Sequence, residues 1–198
     1  MPFNHFNIIK QEVLQRLQAD LPAWMIYHDT SHTLDVLEQS ERIAATENIT
    51  DTEDLFLLKT AALYHDTGFI NVYKGHEEVG CEIAVEMLGK YSFNDRHLDT
   101  VCGMIMATKL PQQPKNKLEQ IIADADLDYL GRPDYYPKAD ALQKEFLREK
   151  MIATEADWIR LQISFLEGHR YFTATNKTLR LPLKNERIKE LKALLQRH

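Results

Sequence analysis

Ala61-Ala62-Leu63-Tyr64-His65-Asp66-Thr67-Gly68 is the stretch around which the chain is ordered. Leu58, Ala61, Ala62 and His65 stand at i, i+3, i+4 and i+7, which is one face of a helix. His65 therefore ends a stripe that faces a core. A buried imidazole beside a carboxylate needs a partner for each polar atom. Either neighbouring side chains supply those partners, or a divalent metal satisfies His65 and Asp66 together.

Working outward, helices lie on both sides. Thr50-Asp51-Thr52-Glu53 reads as a capping box that opens the helix ending at His65-Asp66. Before it, residues 5–19 carry Phe6, Ile9, Val13, Leu14 and Leu17 at helical spacing, and Leu21-Pro22 stops that helix. Tyr27-His28-Asp29-Thr30-Ser31-His32 then opens a second helix that runs to about Asn48, with three good N-cap residues in a row. His28 and His32 share a face if the turn between them is helical.

After a loop from Thr67 to Gly75, a helix from His76 to about Lys90 buries Gly80, Ile83, Ala84, Met87 and Leu88. Asn94 to Thr108 is the next helix, ended by Leu110-Pro111. Lys117 to Leu130 follows, closed by Gly131 as a C′ residue with Pro133 beyond. Helical stretches at about 138–150 and 154–168 carry Leu142, Phe146, Trp158, Leu161, Phe165 and Leu166, and Pro182 precedes a last amphipathic helix. No alternating strand pattern, repeat or linker interrupts the series. The fold class is all-α: one compact helical bundle over 1–198.

The composition agrees. The 198 residues are 44% hydrophobic and 27% charged, enough for one sizeable core. No apolar run approaches the ~20 residues that span a bilayer. The first 20 residues have no uninterrupted apolar segment, so no signal peptide is expected there. Cys81 and Cys102 lack metal-ligand spacing, which points to a reducing, cytoplasmic location. With 30 acidic and 24 basic residues the net charge is −6, which argues against nucleic acid as a partner.

The acidic run Asp124-Ala125-Asp126-Leu127-Asp128 divides by face. Leu118, Ile122, Ala125, Asp126 and Tyr129 form one stripe, while Lys117, Ile121, Asp124 and Asp128 lie opposite. Asp126 is thus the carboxylate set in the apolar face and needs a cation or a strong donor. Asp124 and Asp128 are expected on a solvated face. His32, His65, Asp66 and Asp126 then stand as four candidate ligands on three helices, the way bundles build metal sites. Two imidazoles with two carboxylates suit one divalent ion among Mn, Fe, Co, Ni, Zn and Mg.

His32, then His65-Asp66, then Asp126, resembles the H…HD…D signature of the HD superfamily of metal-dependent phosphohydrolases. The local contexts Tyr27 to His32, Leu63 to Gly68 and Ala123 to Leu127 are similar to that family as well. The resemblance covers about Trp24 to Gly131, which makes about 24–131 the metal-binding core, with helices over 134–198 packing on it. Fainter likeness to uncharacterised predicted HD phosphohydrolases continues through Leu130-Gly131 and the Thr173 region.

The resemblance implies a helical fold and hydrolysis of a small phosphoester, often a nucleotide, by metal-activated water. It also implies that Asp66 contacts the attacking water. His28 occupies the place of the catalytic histidine of cyclic-nucleotide phosphodiesterases, which protonates the leaving oxygen. The alternative for His28 is a surface or capping role. His76, followed by Glu77 and Glu78, resembles the additional histidine of two-metal HD proteins, which binds a second metal or a phosphate. Those proteins carry a further histidine where this chain has Ala107, which counts against a full second metal site and against an HD-fold iron oxygenase. Lys109 and Lys74 are candidate phosphate contacts or simply solvated. The third alternative is a non-catalytic metal-binding or ligand-sensing module.

Overall fold

A computed structural model describes residues 2–196; Met1 and the last two residues of the expected 1–198 bundle lie outside them. Among the described residues there are ten α-helices and no strand. They are α1 (Phe6–Asp20), α2 (Thr30–Thr46), α3 (Thr52–Tyr64), α4 (His76–Leu88) and α5 (Asp95–Thr108). Then come α6 (Lys117–Asp126), α7 (Tyr135–Arg148), α8 (Glu155–Gly168), α9 (Ala174–Leu179) and α10 (Leu181–Leu195).

The helix starts follow the capping chemistry. Asp29 caps α2, accepting from the N–H groups of Ser31 (2.8 Å) and His32 (3.0 Å). α3 is capped by Asp51, which accepts from Glu53 and Asp54, and not by Thr50. α6 stops at Asp126, short of the expected Leu130, and a 3-10 turn covers Asp128–Gly131. Gly131 therefore closes no helix. Its lack of a side chain is needed for close packing, since an added Cβ would meet the Arg180 carbonyl oxygen at 2.2 Å.

Two apolar clusters fill the molecule. The larger joins α1 to α6 through Ile9, Val13, Ile43, Leu58, Leu63, Leu88, Met104 and Ile122. In it α3 packs against α1, α2 and α5, and α6 packs against α2 and α5. Each fully buried Leu or Ile contributes about 1.5–3 kcal/mol before the entropy of ordering the chain is deducted. The second cluster joins Tyr27, Leu127, Tyr129 and Leu130 to α7, α8 and α10 through Tyr135, Ala139, Trp158, Ile159, Leu166 and Leu191. The ends of α3 and α6 and the start of α2 therefore meet between two cores.

Candidate metal centre and the cavity beside it

The HD pair sits where α3 ends. His65 is the C-cap residue of α3, and a 3-10 turn over Thr67–Ile70 follows Asp66. Gly68 in that turn is required by contact: an added Cβ would lie 1.9 Å from the His76 carbonyl oxygen and 2.9 Å from the Gly80 nitrogen. The turn is thus pressed against the first turn of α4, which places His76 near Asp66. Gly75, at φ 75°, makes the left-handed bend into α4.

His32, His65 and Asp66 each offer one ligand atom, all within 4.8 Å of one another. The Asp66 Oδ2 atom lies 3.1 Å from His65 Nε2 and 3.3 Å from His32 Nε2. Asp126 Oδ1 lies 3.2 Å from His32 Nε2 and 3.6 Å from His65 Nε2. The two imidazole nitrogens are 3.4 Å apart. His65 Nδ1 is 2.9 Å from the Ala62 carbonyl oxygen, so in the neutral ring Nδ1–H donates there and the Nε2 lone pair is directed at the cluster. Asp66 Oδ2 is buried and accepts no hydrogen bond from the described residues. A buried carboxylate oxygen without a donor, facing two Nε2 atoms and a second carboxylate, is a donor set that fits a divalent cation.

The electrostatics point the same way. Burial alone would depress His65, but Asp66 and Asp126 hold it well above its usual range. His32 is likewise raised against burial, by Asp126 and Asp66. Burial would push both carboxylates up, yet the neighbouring histidines hold Asp66 well below its usual range and Asp126 at about 2. The cluster thus concentrates negative potential on two imidazoles, and a divalent ion can take the place of the protons they would otherwise hold.

Around this centre lies a cavity of about 530 Å³, lined at one end by His28, Asp66, His76, Glu77, Lys109 and Asp126. His28, in the segment just before α2, is fixed by a residue of α7. Its Nδ1 is 2.6 Å from Glu145 Oε2, while Glu145 Oε1 accepts from the backbone N–H groups of Tyr27 (2.6 Å) and His28 (3.1 Å). Phe69 lies between His28 and His76, with ring centroids 4.3 Å and 3.7 Å away. His76 Nε2 lies 3.5 Å from Asp66 Oδ1 and 3.7 Å from Glu77 Oε1. Lys109 is paired with Glu78. Lys74 also lines the cavity, and Ala107 is buried and offers no ligand atom.

The family model for the HD domain matches residues 30–128, half of the chain. The chain belongs to the HD domain family. The crystal structure of a predicted HD superfamily hydrolase from an uncultured Thermotogales bacterium resembles it with a TM-score of 0.54. Identity is 23%, over 94% of this chain and 89% of that one, so the likeness is one of fold. No curated protein matches the chain.

The matched HD segment holds His32, His65, Asp66 and Asp126, and also His76, Glu77 and Lys109. It leaves out His28 and all of α7 to α10. The expectation that Asp124 and Asp128 are solvated is overturned: both are 0% exposed. Asp124 accepts from the backbone N–H of Phe172 (2.8 Å), the backbone N–H of Thr173 (2.8 Å) and the Thr173 hydroxyl (2.6 Å). Burial nevertheless pushes its carboxyl up to about 6. Asp128 Oδ1 accepts from Arg42 (2.7 Å), Arg180 (2.9 Å) and Asn176 (3.0 Å). The polar face of α6 is covered by residues 172–180, a segment a helical wheel of α6 alone cannot include. Glu145 was invisible for a similar reason: in sequence it sits 117 residues from His28, among the ordinary charges of α7.

Proposed function

We propose that this HD domain protein is a metal-dependent hydrolase of a small phosphoester, and that His32, His65, Asp66 and Asp126 hold the metal. The observation that carries the reading is the orphaned Asp66 Oδ2, facing two Nε2 atoms at the wall of a cavity large enough for a small molecule. A divalent cation bound there would supply Lewis-acid polarisation of a phosphoryl oxygen and a water of lowered pKa.

The chain's own groups account for the rest. Asp66 Oδ1, on the His76 side, accepts a hydrogen bond from the attacking water and aligns it. His28 donates a proton to the leaving oxygen. Glu145, bound to His28 Nδ1, fixes the ring and leaves Nε2 to the substrate. His76 and Lys109 contact the phosphoryl oxygens. The family resemblance suggests a nucleotide as the esterified group. The unpaired Cys81 and Cys102 support a reducing, cytoplasmic setting; no helix of the described residues is long and apolar enough to cross a membrane.

A phosphatase screen with Mn, Fe, Co, Ni, Zn and Mg tests this. The proposal requires metal-dependent phosphate release that His65→Ala abolishes. Release that is absent with every metal, from a protein that still binds metal, would leave the non-catalytic reading.

A further inference from the structure

The cavity has a second end whose chemistry differs from the first. Beyond the metal centre its wall is made by Leu142, Phe146, Trp158, Leu161, Phe165 and Leu166, from α7 and α8. Trp158 and Leu166 belong to the second apolar cluster, and Leu142, Phe146 and Phe165 pack on it only partly buried. At the rim Leu110 is 55% exposed, Met151 47% and Leu161 38%. Large apolar groups, three of them exposed, thus line the same cavity as Asp66 and Asp126.

Some of the polar groups along this wall are engaged with each other, while the lining Tyr73 hydroxyl is buried without a partner among the described residues. The Tyr135 hydroxyl donates to Gln162 Oε1 at 2.7 Å. The rings of Tyr27 and Tyr129 pack against one another, with centroids 5.5 Å apart. Glu145 is taken up by His28 and two backbone N–H groups. A nucleobase and ribose placed here would lose water at several donors and acceptors and find few replacements. Each group left unpaired weakens binding by about tenfold or more. An apolar chain or ring incurs no such loss and gains from every methylene buried.

We infer that the substrate is a phosphoester of an apolar alcohol, alkyl or aryl, with its phosphate at His76, Lys109 and the metal centre and its hydrocarbon against α7 and α8. This rests on the phosphohydrolase reading and replaces the nucleotide as the esterified group. In the reaction, the oxygen of water forms a bond to phosphorus, and the bond from phosphorus to the alcohol oxygen breaks. The proton delivered by His28 completes the free alcohol, the protons of the water stay with the phosphate released from the monoester, and solvent returns a proton to His28. An aliphatic alkoxide is a poor leaving group, so such a substrate needs an acid fixed as His28 is by Glu145.

The test measures binding and turnover separately on the Mn-loaded protein. Calorimetry follows ethyl-, butyl-, hexyl- and octylphosphonate, which cannot be hydrolysed, together with adenosine monophosphate. Phosphate release is followed from butyl phosphate, octyl phosphate and adenosine monophosphate. Affinity is expected to rise about fourfold per methylene until the cavity is filled, with octylphosphonate at least tenfold tighter than adenosine monophosphate. Leu161→Asn, at a rim position that tolerates a polar group, should weaken octylphosphonate about tenfold and leave ethylphosphonate unchanged. Affinity that does not change with chain length, or tighter binding of adenosine monophosphate, overturns the inference. Chain-length-dependent binding with no phosphate released from any ester upholds the apolar ligand and instead removes the hydrolase reading.

Discussion

At the scale of the residue, the site is a set of polar atoms whose partners come from distant parts of the chain. His28 and Glu145 show this most directly. With the Glu145 carboxylate 2.6 Å from Nδ1, the imidazole is held in one orientation. Glu145→Gln keeps an oxygen for the Tyr27 and His28 N–H groups but removes that charge. We expect metal content to be unchanged and turnover of an unactivated alkyl ester to fall by about 100-fold, within the usual range for general acid catalysis. A nitrophenyl ester, whose leaving group needs little protonation, should lose much less; equal losses on the two would show that the pair positions substrate and donates no proton. The four candidate ligands were legible in the sequence because a charged or titratable group at the end of an apolar stripe is costly unless something satisfies it. Asp124 and Asp128 were not, because their covering groups, Thr173, Asn176 and Arg180, follow some 50 residues later in irregular backbone and short α9.

Among the elements, periodicity served well for helices and poorly for what joins them. All the expected helices are present, because each buries a stripe that repeats every three or four residues. The 3-10 turns at Thr67–Ile70 and Asp128–Gly131 carry no such repeat, so α6 was read four residues too long. The first of these turns sets the geometry of the centre. With no room at Gly68 for a Cβ beside the His76 carbonyl, Gly68→Ala must push α4 away from the end of α3. It should destabilise the fold by about 2 kcal/mol or more, as overpacking against backbone does, and weaken metal binding in the same variant. Urea unfolding with and without metal measures both. Wild-type stability in Gly68→Ala would show that the turn can yield, and that His76 is not held by it.

Over the whole molecule, two apolar cores share one seam, and a half-buried base, His169, is expected to make the second core sensitive to acid. His169 stacks on Phe165 and packs against Tyr171, and Lys184 donates to its carbonyl oxygen at 2.6 Å. Burial, with the Lys184 ammonium beside it, holds His169 down to about 3. The folded state therefore binds fewer protons than the unfolded one between about pH 6.5 and 3. Its share of stability is complete above about pH 6.5 and is lost as the pH falls below that value. Between pH 7 and 5 the loss through this half-buried group is about 1–2 kcal/mol. The drop in urea midpoint over that interval should shrink correspondingly in His169→Gln, and an unchanged drop would place the acid sensitivity elsewhere.

Both cores meet at the candidate metal centre, and the metal content of purified protein by elemental analysis, for wild type and Asp126→Asn side by side, measures directly whether it holds an ion. About one divalent ion per wild-type chain is expected, with a large loss of occupancy in the variant. The variant should lose with it the part of the wild-type melting temperature that chelator removes. Wild-type protein without metal, or full occupancy retained in Asp126→Asn, would contradict the metal assignment.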